Sequence, residues 1–238
     1  MAKFLFVHGA FQGAWVWREV SDILQSMGHE THIPTLSGCG YLHHGGREGI
    51  DLNTFIQDIS NYIYFEELDD VVLVGHSYSG LICGAIMMGT PHLLHQAILV
   101  DTIIPQSNRS FVDTAGEAFR HMLESHRVGN WKIKPWPLNV FGVPESRGPW
   151  FSARLCDFPE SAFLTPFPSE FDPTCVPVSF ITCTATASPF IRAMAGKARS
   201  FGWSVTELNS GHCPMVTHPQ ELAAMLDTAV IAQAGSAA

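Results

Sequence analysis

Positive charge is scarce in this chain. Its 238 residues include 13 Lys and Arg against 22 Asp and Glu, a formal net charge of −9, and the basic residues form no cluster. Nucleic acid and anionic membrane surfaces are held by concentrated positive charge. Both are therefore excluded as expected partners, and a small, neutral, hydrophobic molecule is left as the expected one. Long apolar runs are also missing. His76, Ser77 and Ser79 interrupt the richest stretch, so no segment of about 18 apolar residues is available to span a bilayer. The apolar start that ends at Val7 is too short for a signal sequence and carries no cleavage site. The six cysteines, at 39, 83, 156, 175, 183 and 213, lack CxxC spacing. That spacing argues against a zinc knuckle or a small disulfide scaffold and predicts free thiols in a reducing cytoplasm. The 12 histidines include His43-His44 in a Gly-rich loop but no HExxH, so no metal site is expected, and nothing requires a cofactor.

Apolar residues make up 46% of the chain and charged residues 15%, enough to bury one full domain of this length. Short β-rich apolar runs at 3–7, 30–34, 71–75, 97–101, 178–183 and 203–208 alternate with longer helical patterns. This alternation predicts an α/β fold, a mostly parallel sheet of about six strands with helices on both faces. Leu52, Ile56, Ile59 and Ile63 mark one helix face, and Leu222, Met225, Leu226, Ala229 and Val230 mark another behind Pro219. The alternation breaks between residues 106 and 175, where prolines and aromatics crowd. The core is accordingly assigned to 1–105 and 176–238, with 106–175 inserted. Trp131, Trp136, Trp150 and the neighbouring phenylalanines would serve either a lid over a site or the packing of the insertion onto the body. The Ala/Gly/Ser tail from Ala234 reads as a frayed end.

The strongest local signal is Val71-Val72-Leu73-Val74-Gly75-His76-Ser77-Tyr78-Ser79-Gly80, an apolar strand running into a small-residue turn and then a helix. A serine at such a turn projects its hydroxyl above the sheet edge, beside helix N–H groups that favour developing negative charge. The usual pattern is GxSxG, and Ser79 stands where the second glycine belongs. A second amide for an oxyanion hole is offered by His8-Gly9-Ala10, so Ala10 and Tyr78 are the expected pair. A serine hydroxyl needs a base, and His212, between the last strand and the last helix, is the natural one. His8 and His76 read as satisfied supporting groups. Phe11, Trp131 and Trp150 are the expected walls of the substrate pocket.

These segments, together with Pro34-Thr35-Leu36-Ser37-Gly38, Asp51-Leu52-Asn53-Thr54 and Gly211-His212, closely resemble bacterial α/β-hydrolases related to plant methylesterases and hydroxynitrile lyases. The resemblance runs from about residue 3 to 230 and is weakest in the insertion. It implies the α/β-hydrolase fold with a lid and a Ser-His-acid triad. In that family the acid usually follows the seventh strand in a context like Cys-Thr-x-Asp, whereas this chain has Cys183-Thr184-Ala185-Thr186. Asp101, 24 residues after Ser77 at the end of a strand, is the expected replacement, with Glu207 and Asp172 as the remaining candidates. Hydroxynitrile lyases carry a Thr at the position of Gly9 and a Lys at that of Cys213, so the resemblance implies an esterase rather than a lyase. The expected function is hydrolysis of a carboxylic ester or lactone of a small hydrophobic or aromatic compound through an acyl-serine. A cofactor-independent dioxygenase on the same Ser-His-Asp scaffold and a non-catalytic ligand-binding protein are the alternatives.

Overall fold

In a computed structural model that describes residues 1–236, strands β1 (Lys3–Val7), β2 (Glu30–His32), β3 (Val71–His76) and β4 (Leu94–Val100) pair in parallel. Three short strands follow, β5 (Arg127–Val128), β6 (Lys132–Ile133) and β7 (Phe158–Pro159), and then β8 (Val178–Cys183) and β9 (Ser204–Leu208). The main sheet has the order β2-β1-β3-β4-β8-β9, all parallel, while β5-β6-β7 form a small antiparallel sheet of their own. Every residue of β3 is buried, as expected of a parallel strand covered on both faces.

The helices α1 (Arg18–Ser26), α2 (Leu52–Phe65) and α3 (Gly80–Gly89) connect the first four strands. The chain moves one way from β1 to β2 and the other way from β2 through β3 to β4. Right-handed crossovers therefore put α1 on one face and α2 and α3 on the opposite one. Helix α2 starts where Asp51 accepts the amide of Thr54 at 2.9 Å, and it buries Leu52, Phe55, Ile59 and Ile63. Five short helices lie in the insertion: α4 (Phe111–Ala115), α5 (Glu117–Ser125), α6 (Leu138–Phe141), α7 (Gly148–Ser152) and α8 (Glu160–Leu164). Helix α9 (Pro189–Ser200) joins β8 to β9, and α10 (Pro214–Thr217) precedes α11 (Pro219–Ser236). Helix α11 packs on α1 and buries Leu222, Ala223 and Leu226. The last two residues of the tail expected to fray lie outside the described residues. Among the described residues no helix is long and apolar enough to cross a membrane.

Strand limits differ from the sequence reading at five places: β3 runs on to His76, β9 starts at Ser204, and three further limits shift for a local reason. β2 stops at His32, two residues before Pro34, which has no N–H for a ladder. β4 starts three residues early, at Leu94, where an irregular step between Val71 and Val72 absorbs the extra residue. It also stops one residue short, because Asp101 turns into the left-handed region with φ 50°.

The segment between β4 and β8 is fastened to the rest of the chain by aromatic rings. Phe158 lies 5.1 Å from Tyr78, 5.3 Å from Phe55 and 5.5 Å from Phe11 between ring centres, and the Tyr78 hydroxyl donates to the carbonyl of Ala162 at 2.8 Å. Below it, α3 presses on the loop after β4. A Cβ built on Gly80 would stand 1.9 Å from the Ile103 carbonyl and 2.9 Å from the Thr102 side chain. Gly80→Ala should therefore lose about 3 kcal/mol of stability by overpacking. Gly196→Ala, on an exposed part of α9 with nothing within 4 Å, should gain about 0.5–1 kcal/mol. Urea unfolding of the two variants checks the pair, and equal midpoints would contradict the packing described.

Candidate active site

Ser77 sits immediately after β3 at φ 58°, a conformation that costs a residue with a side chain of the order of 1–2 kcal/mol. The neighbours hold it there. The Ser79 hydroxyl accepts the His76 amide at 2.7 Å and lies 2.9 Å from the carbonyls of both Val7 and His76. The Ser77 carbonyl accepts the amide of Ile103 at 3.1 Å. Ser79 thus ties the ends of β1 and β3 together, which a glycine there would leave undone. The close helix-to-loop approach falls instead to Gly80. Gly9 also lies against the turn, since a Cβ on it would come within 3.0 Å of the Ser77 Cβ.

His212 Nε2 lies 2.9 Å from Ser77 Oγ, and its Nδ1 lies 2.7 Å from Asp101 Oδ2. Because a carboxylate only accepts, Nδ1 carries the proton and Nε2 is left to accept from the serine. Asp101 is wholly buried. Its Oδ1 accepts the Cys183 amide at 3.0 Å, and its Oδ2 also accepts the Thr186 hydroxyl. Three donors therefore satisfy the buried charge. Thr186, at the position where the resemblance implied an acid, instead donates to Asp101. Glu207 is exposed and pairs with Arg199 at 3.1 Å, and Asp172 is exposed and accepts from Thr174 at 2.8 Å. Neither carboxylate bonds His212.

Of the two residues expected to supply oxyanion amides, Tyr78 follows Ser77 in the chain and Ala10 lines the same chamber as Ser77. Tyr78 is the second residue of a helical turn, so its N–H has no partner within the turn. Among the described residues no backbone acceptor takes the amide of Ala10. One residue that the sequence reading passed over links this loop to the histidine. Buried Gln12 accepts the Gly9 amide at 3.3 Å and donates to Cys213 Sγ at 3.4 Å. A lone glutamine in a turn carries no local signal of such a role, because the partner is 201 positions away.

Both supporting histidines are wholly buried. His8 Nδ1 donates to the Gly9 carbonyl at 2.9 Å, and its Nε2 accepts the Leu36 amide at 3.1 Å, which leaves no room for a second proton. Burial lowers its pKa to about 4. His76 Nε2 donates to the His212 carbonyl at 2.6 Å, and burial, followed by the proximity of His212, holds it well below its usual range. Burial likewise pushes the thiols of Cys183 and Cys213 up, so neither is a nucleophile at neutral pH.

Ser77 and His212 open into a chamber of about 70 Å³ that has no Lys, Arg, Asp or Glu in its wall. Phe11, Phe111, Phe119, Trp136, Phe141 and Phe190 supply the rings, with Ala10, Gln12 and Ser188 among the small and polar groups. Of the three expected pocket residues Phe11 is present, whereas Trp131 and Trp150 do not line the chamber. Trp131 faces the loop at Gly46, with Lys132 5.0 Å over its ring, and Trp150 meets Trp15 edge to face, with the guanidinium groups of Arg147 and Arg154 over its ring. Their cationic neighbours hold both rings toward the outer surface. Trp136 fills the inner position, 4.8 Å from Phe11. Among the described residues no group of three His, Cys, Asp or Glu is placed to hold a metal ion.

A profile of the alpha/beta hydrolase family matches residues 4–225. The carbendazim hydrolyzing esterase of Nocardioides sp. (strain SG-4G) is 28% identical over 95% of this chain and 98% of its own length. The polyneuridine aldehyde esterase of Rauvolfia serpentina is 30% identical over 45% of this chain and 41% of its own. Among solved structures, an extracellular alpha/beta-hydrolase from a Paenibacillus species superposes with a TM-score of 0.80 at 20% identity, over 95% of this chain and 98% of that one. A pyrethroid hydrolase from Sphingobium faniae gives 0.77 at 18%, over 98% and 99%. At these identities the structures attest the shared fold.

The buried histidines make stability depend on pH. In the unfolded chain each takes a proton near pH 6.5, while the folded chain refuses it until about pH 4 at His8. The unfolded state binds more protons across that window, so stability present above pH 6.5 is lost as the pH falls, by about 3 kcal/mol for His8. Urea midpoints measured from pH 7.5 to 5, above the carboxylate range, should decline. His8→Gln, which keeps an acceptor for Leu36, should flatten the decline. A flat wild-type profile would contradict the neutral assignment.

Proposed function

The chain belongs to the alpha/beta hydrolase family, and on this site we propose that it is a serine carboxylesterase acting on a small, uncharged, hydrophobic ester or lactone through an acyl-serine intermediate. The observation that carries the reading is the unbroken hydrogen-bonded line from Ser77 Oγ through His212 to Asp101, at 2.9 and 2.7 Å. The relative of similar length is named for ester hydrolysis.

In the proposed reaction Ser77 Oγ attacks the ester carbonyl as its proton passes to His212 Nε2. The imidazolium so formed is stabilised by Asp101. The carbonyl oxygen becomes an oxyanion facing the amides of Ala10 and Tyr78, and each such donor contributes about 3 kcal/mol to the transition state. Collapse breaks the C–O bond, His212 returns the proton to the leaving alcohol, and the acyl group stays on Ser77. Water then repeats the sequence with His212 as base and releases the acid. With His8 and His76 neutral and Cys213 a thiol, no neighbouring charge opposes the transient imidazolium.

The chamber supports small substrates. At about 70 Å³ it is tighter than the ~150 Å³ that accommodates a benzene, so an acetyl-sized group fits beside Ser77 and an aromatic one requires Phe119 or Met122 to move. Residues 106–175 are in this reading a cap, supported by Phe111, Phe119, Trp136 and Phe141 of that segment standing in the chamber wall. A chamber without charge and a net charge of −9 support a small neutral molecule, not nucleic acid, as partner. Six cysteines outside any disulfide support a cytoplasmic setting.

A fluorophosphonate probe should add once, to Ser77, and Ser77→Ala should lose both the adduct and turnover of p-nitrophenyl acetate. Asp101→Asn should cost about 10³–10⁴ in kcat by leaving the histidine in the wrong tautomer. Thr186→Val, which keeps the acid but removes one donor, should cost only about tenfold, or 1.4 kcal/mol. No adduct and no turnover in the wild-type protein would overturn the esterase reading.

A further inference from the structure

A second cavity, of about 620 Å³, adjoins the site on the outer side of the loop that carries Ala10. The two cavities share a wall. Phe11 lines the chamber, and its carbonyl accepts the amide of Cys156, which lines the outer cleft, at 3.0 Å. Phe11 is held at φ 68°, a conformation rarely adopted by a bulky residue, so the Cys156 contact is one of the ties that keep it there.

The lining of the cleft differs in kind from that of the chamber. Trp15, Tyr41 and Trp131 give it aromatic faces, and Arg18, Lys132 and Arg154 give it three permanent cations. One carboxylate, Asp157, also lines it, 3.7 Å from Lys132. A chain with a net charge of −9 and only 13 basic residues thus gathers three of them, nearly unopposed, around one cavity. Arg18 has no carboxylate or carbonyl partner among the described residues and is exposed. The Arg154 guanidinium lies 4.8 Å over the Trp150 ring and donates through Nη1 to the Trp150 carbonyl at 2.9 Å, which orients it and leaves its other N–H groups for a ligand. Guanidinium forks match carboxylates, and indole and phenol faces match flat rings.

We propose that this cleft is a second binding site, for a planar aromatic carboxylate, whose ring lies between Trp131 and Tyr41 and whose carboxylate pairs with Arg18 and Arg154. Such an anion is disfavoured in the uncharged chamber, where no cation would balance it. The proposal rests on the esterase reading in one respect only: hydrolysis of an aromatic ester would supply the ligand. An occupied cleft would bear on Cys156 and, through the Phe11 carbonyl, on the adjoining Ala10 amide.

The test is calorimetric titration of the full-length protein with benzoate, with neutral benzamide in parallel. Saturable one-to-one binding of benzoate is expected, at least tenfold tighter than benzamide, unchanged in Ser77→Ala and after fluorophosphonate blocks Ser77. The double variant Arg18→Gln/Arg154→Gln should weaken benzoate at least tenfold while its thermal midpoint and p-nitrophenyl acetate turnover stay at wild-type levels. Trp131→Ala should weaken both ligands. Absence of benzoate binding, or binding that the Ser77 adduct abolishes and the double variant leaves intact, would overturn the proposal. Arginine-dependent benzoate binding in a protein without esterase turnover would sustain the cleft and refute only the esterase reading.

Discussion

The carboxylate of Asp101 has no contact with solvent, and what it meets instead decides how three strand ends must lie. Its donors come from separate places: the Cys183 amide at the end of β8, the Thr186 hydroxyl one turn further on, and the imidazole of His212 beyond β9. A buried charge that loses a partner costs several kcal/mol. The register Val100 to Ile181 and Cys183 to Leu208 therefore bears directly on the site. A one-residue slip in either pairing would turn donors away from the acid. The turn at Asp101 is also fastened from below, since its amide donates to the Ile181 carbonyl at 2.7 Å.

Around this one charge the interior is kept neutral. His8 and His76 each spend their ring nitrogens on backbone groups or hold one bare in an apolar setting, and the nearby thiols are raised by burial. The effect is electrostatic economy. In a low-dielectric surrounding any further charge would be felt strongly, and the charges expected to appear during the proposed reaction are the imidazolium that Asp101 faces and the oxyanion at the amides of Ala10 and Tyr78. Gln12, between Gly9 and Cys213, and Ser79, between β1 and β3, do the corresponding geometric work with uncharged side chains.

The segment between β4 and β8 contributes the other side of the chamber. Its aromatic rings are shared between two tasks that need not conflict, because Phe158 packs onto Tyr78, Phe55 and Phe11 while Phe111, Phe119 and Trp136 face the chamber. Rings that pack this segment onto the body and rings that line the chamber are thus different residues of the same cluster. Trp131 and Trp150 belong to neither group. Drawn outward beside Lys132, Arg147 and Arg154, they build the polar outer cleft and its rim.

The α/β alternation, the strand-turn-helix around Ser77 and the loop position of His212 were legible in the sequence because each is a local pattern: apolar runs of strand length, small residues at a sharp turn, a polar residue between strand and helix. Beyond single-residue shifts at His76 and Ser204, strand ends moved where a proline, a bulge or a left-handed turn overrode the apolar pattern. The partner of His212 was of another kind. Asp101 was preferred to Glu207 and Asp172 for its place at the end of a strand 24 residues after Ser77, and no residue pattern around it secures that choice. The sheet order decides, because it sets β4, β8 and β9 side by side and so brings Asp101, Thr186 and His212 within hydrogen-bonding reach. The same holds for Gln12 and Cys213, and for Trp136 in place of Trp131 and Trp150. By itself the sequence determined the elements and the nucleophile's turn, which depend on neighbours along the chain. Only the tertiary structure brought Asp101 against His212 and decided the chamber walls and the outer cleft, because each is made of side chains from distant segments whose directions are set by packing.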